Sequence, residues 1–177
     1  MILGRKFYQK DTLRVARNLL GCFLVRQIGK KIIKAEIKEV EAYIGEDDMA
    51  CHASRGRTPR TEIMYGEAGH AYVYMIYGMY FCLNVVTEKN NFPAAVLIRG
   101  AETSIEASID VSILNGPGKL CKFLKIDKKL NGWDLTKGEK LWIERGTRIN
   151  PKKIKAGKRI GIDYAKHCRH YLWRFYS

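Results

Sequence analysis

Acidic residues are scarce in this chain, cysteines follow no recognisable framework, and no long apolar run occurs. Eighteen Asp and Glu stand against 32 Lys and Arg, a formal net charge of +14 over 177 residues. A field of that sign draws polyanions or anionic surfaces before any specific contact forms, and nucleic acid is the leading expected partner. No stretch approaches the roughly 20 apolar residues needed to span a bilayer, so no membrane role is expected. The start, Met1-Ile2-Leu3-Gly4-Arg5-Lys6, becomes charged too early for a signal peptide, which predicts an intracellular protein. The five cysteines, Cys22, Cys51, Cys82, Cys121 and Cys168, are odd in number and form no C-x-x-C pair. This argues against a disulfide framework or a zinc ribbon and predicts buried thiols.

Several catalytic signatures are missing as well. The H-x-E and P-C-x-x-C pattern of zinc nucleobase deaminases is absent, as are the glycine loop ending in Lys-Ser/Thr and the G-x-S-x-G elbow. Cys51-His52 with His167-Cys168 and His170 have metal-ligand chemistry, but their spacing matches no zinc pattern, and no metal site is assigned.

What is present is a chain able to fold. It is 46% hydrophobic, with ten Tyr, six Phe and three Trp, far from the composition of disordered chains. The length suits one domain, 1–177, with a sizeable core. Charge is segregated: residues 151–177 carry eight Lys and Arg against the single acid Asp163, whereas Glu36, Glu39, Glu41, Glu46, Asp47 and Asp48 crowd residues 36–48.

Asp11-Thr12 ahead of Leu13, Ala16, Leu19 and Leu20, with Gly21 after them, predicts a capped amphipathic helix. Residues 22–43 predict two strands around Gln27-Ile28-Gly29-Lys30. Strict alternation in the second would put Ile33, Ala35 and Ile37 on one face with Glu39, Glu41 and Tyr43. Residues 44–71 show no period and predict a long surface excursion. Tyr72 to Thr87 predicts a hairpin with Tyr77-Gly78-Met79 at its tip, and Ala94 to Arg99 a buried strand. Asn115-Gly116-Pro117-Gly118 predicts a turn into a helix carrying Lys119, an end that can bind phosphate or simply join two elements. Leu141-Trp142-Ile143-Glu144 and Arg159-Ile160-Gly161-Ile162 predict late strands.

Tyr72, Tyr74, Tyr77, Tyr80 and Phe81 place five aromatics within ten residues, beside a basic surface. Aromatic faces stack on any base, or fill the gap that an extruded base leaves. Core packing is the expectation for Tyr72 and Tyr80, and function for Tyr77 at the turn. Glu41 reads either as a base that activates water or as half of a structural ion pair with a lysine. His52 alone reads as structural.

The runs Glu39-Val40-Glu41-Ala42-Tyr43-Ile44-Gly45, Asp48-Met49-Ala50-Cys51-His52, Arg57-Thr58-Pro59-Arg60 and Tyr72 through Asn84 together resemble the alkyladenine (3-methyladenine) DNA glycosylases of the mammalian type. The likeness continues through Leu97 to Glu102, Asn115 to Leu120 and Arg174-Phe175-Tyr176. It implies one mixed α/β (α+β) domain, with a curved antiparallel sheet, surrounding helices and a β-hairpin that intercalates into DNA. The implied activity is monofunctional: an alkylated or deaminated purine is flipped from duplex DNA, its N-glycosidic bond is hydrolysed, and an abasic site remains. No metal or cofactor is implied, the partner is double-stranded DNA with damaged purines, and the state is monomeric. The compartment is the cytoplasm or nucleoid of a prokaryote, or the nucleus of a eukaryote.

Residue by residue, the resemblance makes Glu41 the base and Arg99 a holder of the attacking water, with the Ile160 carbonyl touching the same water. Tyr43 and Tyr74 sandwich the base, His52 contacts base and sugar, and Asn84 disfavours guanine. Tyr77 intercalates with Met79 beside it, and Arg57, Arg60 and Lys119 are phosphate candidates. Glu67-Ala68 ahead of Gly69-His70, and Ile160 in place of a smaller aliphatic residue, depart from the pattern around the pocket rim. A non-catalytic DNA or RNA binder would share the charge and the aromatics, but not the joint match at Glu41, His52, Asn84 and Arg99.

Overall fold

In a computed structural model, which describes residues 1–103 and 114–177, Asp11 caps as its position predicts. Its carboxylate accepts the Arg14 N–H at 2.9 Å and starts helix α2, Thr12–Leu19, after the single-turn α1, Arg5–Tyr8. Val15, Ala16 and Leu19 form the buried stripe, and Gly21, at φ +79°, turns the chain into the sheet.

Among the described residues that sheet has eight strands: β1 Phe23–Ile28, β2 Lys31–Ile44, β3 Ala71–Ile76, β4 Tyr80–Val86, β5 Ala94–Thr103, β6 Leu141–Glu144, β7 Lys155–Gly157 and β8 Arg174–Tyr176. Their order is β3-β4-β5-β2-β1-β6, every pairing is antiparallel, and the sheet is curved. The long β2 is shared: β1 pairs with its first half, and β8, itself paired to β7, with residues 39–41. Helix α2 and helix α3, Pro117–Phe123, close one face over a core that includes Ile37, Val40, Ile98, Leu120 and Phe175. The fold is mixed α+β. Among the described residues no helix is long and apolar enough to cross a membrane.

One irregularity decides where the acids point. Between Ile37↔Ala101 and Val40↔Ile98 only Glu39↔Gly100 pair, so Lys38 on β2 and Arg99 on β5 stand outside the ladder. Each strand gains one residue at the same level, and both therefore switch face together. Ile33, Ala35 and Ile37 lie in the main core, followed by Val40 and Ala42 rather than by Glu39 and Glu41. The expected shared face of Ile37 and Glu41 is thus wrong: the bulge hands the core face to Val40 and Ala42 and sends Glu39, Glu41 and Tyr43 to the opposite side. Arg99 goes with them, its own carbonyl accepting the Gly116 N–H at 3.1 Å.

Residues 44–71 are also not a surface excursion. Cys51, Ala53, Met64 and Tyr65 are buried and pack with Tyr72, Val86 and Ala95 in a second cluster, through short 3-10 turns His52–Arg55 and Glu62–Tyr65 that have no sequence period. Arg159 to Ile162 is a loop rather than a strand: the Ile160 N–H goes to the Glu41 side chain and the Arg159 guanidinium to Asp48 and the Ala42 carbonyl, so these contacts with β2 form no backbone ladder. The hairpin stands as expected, with Tyr77 (φ 51°) and Gly78 (φ 68°) in the positive-φ conformation that tight hairpin turns favour. All five cysteines are free and buried.

Candidate active site

The face opposite the main core opens into a cavity of ≈ 340 Å³, within the size range of small-molecule sites, about 300–1,000 Å³. Strand β2 supplies Tyr43, the hairpin supplies Tyr74, Tyr77 and Asn84, β5 supplies Arg99, and the 3-10 turn after β2 supplies His52. Ile160 closes the far side from its loop. Residues that the chain brings from distant positions thus meet at one place.

Glu41 lies behind the wall of this cavity. It is 0% exposed, yet its three partners all line the cavity. One carboxylate oxygen accepts the Ile160 N–H at 2.8 Å and lies 3.5 Å from Arg99 Nε; the other accepts the Tyr43 hydroxyl at 2.8 Å. Burial pushes the carboxyl up, and Arg99, the Ile160 N–H and Tyr43 only partly offset it, so the group sits above the usual carboxylate value. Its ion-pair partner is an arginine and not a lysine. Arg99 is itself held by Glu39, 3.1 Å from Nε, and Glu39 also accepts from Arg174 at 3.2 Å. A buried carboxyl with raised proton affinity, beside a cation and an open cavity, can take a proton from water there.

The aromatic walls follow from β3. Tyr72, buried as expected, shares a 2.8 Å hydrogen bond with His52 Nδ1, and Tyr74 meets the His52 ring edge-on at 4.5 Å. Asn84 is 3% exposed, and its side-chain amide donates to the Tyr72 carbonyl across the strand pair at 3.1 Å, which fixes how the amide faces the cavity. Tyr77 at the tip is 86% exposed and Met79 67%. Tyr80 is 40% exposed, not the core residue expected, because it sits beside the turn and covers Gly118.

Burial, with Arg60 and Arg55 nearby, pushes His52 down to about 4. The ring is therefore neutral around physiological pH and offers one donor and one acceptor. An NMR titration of His52 is expected to give a midpoint of about 4, and a midpoint near the ordinary 6.5 would contradict the burial. The unfolded chain binds this proton first on acidification. Stability is accordingly intact above the ordinary histidine value and declines as pH falls from there to about 4.

The phosphate candidates differ. Arg57 is engaged with Glu62 through two bonds of 2.8 and 2.7 Å, so a phosphate would have to compete for its fork. Arg60 lies over the Tyr74 ring at 5.3 Å, at the edge of the cavity, and Lys119 is exposed on α3. Among the described residues no three His, Cys, Asp or Glu side chains come together as metal ligands. Tyr164, Cys82 and Pro117 also line the cavity. Sequence reasoning passed over Tyr164 and Cys82, one in an aperiodic loop and the other read as a core thiol.

An aromatic cavity backed by a buried carboxyl, beside an exposed tyrosine tip on a strongly basic chain, suits a protein that handles nucleic acid. The sequence model of the methylpurine-DNA glycosylase family matches residues 6–177, and the chain belongs to that family. It is 50% identical over 186 residues to a protein of Methanocella arvoryzae named "Putative 3-methyladenine DNA glycosylase", covering 99% of this chain and 92% of that one. Proteins of the same name from Sodalis glossinidius (50% over 181 residues, 99% and 96% covered) and Desulfitobacterium hafniense (45% over 192 residues, 98% and 94% covered) are similar along their lengths.

Proposed function

We propose that this DNA glycosylase acts as a monomer on duplex DNA, wherever the cell keeps it, and excises alkylated or deaminated purines by hydrolysis. The observation that carries this reading is the buried Glu41 carboxyl, held on three sides by Tyr43, Ile160 and Arg99, which all line the aromatic cavity. The damaged nucleotide rotates out of the duplex, and Tyr77, with Met79 beside it, fills the gap. Flipping costs a few kcal/mol, least at damaged or mismatched pairs, so the step itself selects lesions.

In the cavity the base stacks between Tyr43 and Tyr74, with His52 against base and sugar. Asn84 rejects guanine, whose exocyclic amine would meet its fixed amide. Glu41 takes a proton from a water that Arg99 and the Ile160 backbone hold, the water oxygen bonds to C1′, and the N-glycosidic electrons leave with the base. A cationic alkylated purine is already a good leaving group, so most of the catalysis is positioning and charge stabilisation of the sugar. Arg60 and the basic C-terminal segment neutralise phosphates, which makes binding steeply salt-dependent.

The product strand tests this mechanism. A duplex with one hypoxanthine is expected to yield an abasic strand that stays intact until alkali is added. Strand cleavage without alkali, with a borohydride-trapped covalent adduct, would instead indicate an amine nucleophile and contradict the water mechanism.

A further inference from the structure

The loop 158–162 reaches Glu41 from across the cavity through a single backbone N–H, that of Ile160. A loop has no ladder to fix such a contact. What fixes this one is the neighbouring Arg159, whose side chain is 0% exposed and faces Asp48 at 1%. Its two terminal nitrogens donate to the two Asp48 oxygens at 2.5 and 2.8 Å, and further to the carbonyls of Ala42 at 2.9 Å and Cys168 at 3.3 Å. Asp48 in turn accepts the N–H groups of Ile44 at 3.2 Å and Ala50 at 3.1 Å. The guanidinium also lies over the rings of Tyr43 at 4.8 Å and Trp173 at 5.0 Å.

A buried ion pair is a poor source of stability, because desolvation offsets most of its Coulomb gain. It is a good source of position: a planar fork bonded on both sides permits one orientation. Here the fork ties the loop to Ala42, the residue between Glu41 and Tyr43. Neither Arg159 nor Asp48 lines the base cavity, so both act through other residues.

We infer that Arg159 and Asp48 are positioning residues for Glu41, their forked pair holding the Ile160 N–H and the Tyr43 hydroxyl on its two carboxylate oxygens. This rests on the reading of Glu41 as the base. Among the described residues, the charged and titratable groups that face Glu41 are Arg99 from β5, Glu39 and Tyr43 from β2, Cys82 from β4 and Arg159 from the loop, with Arg174 of β8 one step away on Glu39.

The experiment measures single-turnover excision of hypoxanthine against pH, lesion-duplex affinity and thermal melting for Arg159→Lys, Asp48→Asn and Glu41→Gln. Arg159→Lys keeps the charge and loses the fork. Both pair variants are expected to fold and bind, and to lose excision by roughly 10- to 100-fold through misplacement. Their acid limb is expected to move up by about half a pH unit or more, because the ionised carboxyl loses donors. If Glu41→Gln keeps excising, the base reading itself fails. If Glu41→Gln is inactive while a folded pair variant keeps both its rate and its acid limb, the positioning inference is overturned. A lower rate with an unmoved acid limb overturns it too, leaving only a structural staple. Should Arg159→Lys not fold, Asp48→Asn carries the same readings, and failure of both to fold would likewise count against a positioning role.

Discussion

Glu41→Gln is expected to lower single-turnover excision of hypoxanthine by about 10²- to 10⁴-fold, the usual contribution of a positioned general base. Lesion-duplex affinity should be retained, because the lost interaction with the attacking water belongs to the transition state and not to the bound complex. The same variant has a stability signature. Burial raises the carboxyl above its usual value, so the native state holds this proton more tightly than the unfolded chain does. Stability from this group is then lost as pH rises from the usual carboxylate value through the raised one. The neutral amide avoids that cost, and Glu41→Gln should melt above the unaltered protein near about pH 7, its advantage fading towards the ordinary carboxylate range. A gain in melting temperature with a loss of excision is hard to produce by misfolding. Equal melting curves at both pH values would show that the charge is not buried at a cost.

Tyr77→Ala is the second large effect. At 86% exposure the side chain contributes little to the fold, so the melting curve should not move. In the flipped complex, however, the ring would replace the stacking of the extruded base, a contact worth roughly 1–3 kcal/mol. Excision at limiting enzyme should therefore fall by about 5- to 150-fold, since every 1.4 kcal/mol is tenfold. The loss should be much smaller for a lesion opposite an abasic gap, where there is less stacking to replace. A fluorescent base analogue beside the lesion would report this directly. Unchanged excision on fully paired duplex would remove Tyr77 from the intercalating role.

These effects depend on features that the sequence exposes unequally. The capped helix and the hairpin are legible because their signals are local: Asp11 three residues ahead of the N–H it accepts, and Gly78 where positive φ is needed. The face of Glu41 is not. Nothing at Lys38 or Arg99 marks a bulge, and alternation counted through it gives the wrong side for every later residue on β2. Residues 44–71 hide their burial because short 3-10 turns leave no period to read. Arg159-Ile160-Gly161-Ile162 imitates a strand, although its apolar side chains face a cavity and its polar groups bond elsewhere.

The candidate site was legible through family likeness, motif by motif, and the structure places Tyr43, His52, Tyr74, Asn84, Arg99 and Ile160 around one cavity with Glu41 behind it. The supporting pair of Asp48 and Arg159 was not, for a physical reason. The two residues are 111 positions apart, and a lone charge in a sequence reads as solvated until a buried partner is seen.

The most direct measurement is release of free base from a duplex carrying hypoxanthine or 3-methyladenine, under single-turnover conditions, with DNA affinity followed across a salt series. Free base released with an abasic strand left behind, and lost in Glu41→Gln without loss of binding, is the expected result. Salt-sensitive binding to the same duplexes, with no base released from any of them by the unaltered protein, would contradict it and leave a non-catalytic binder.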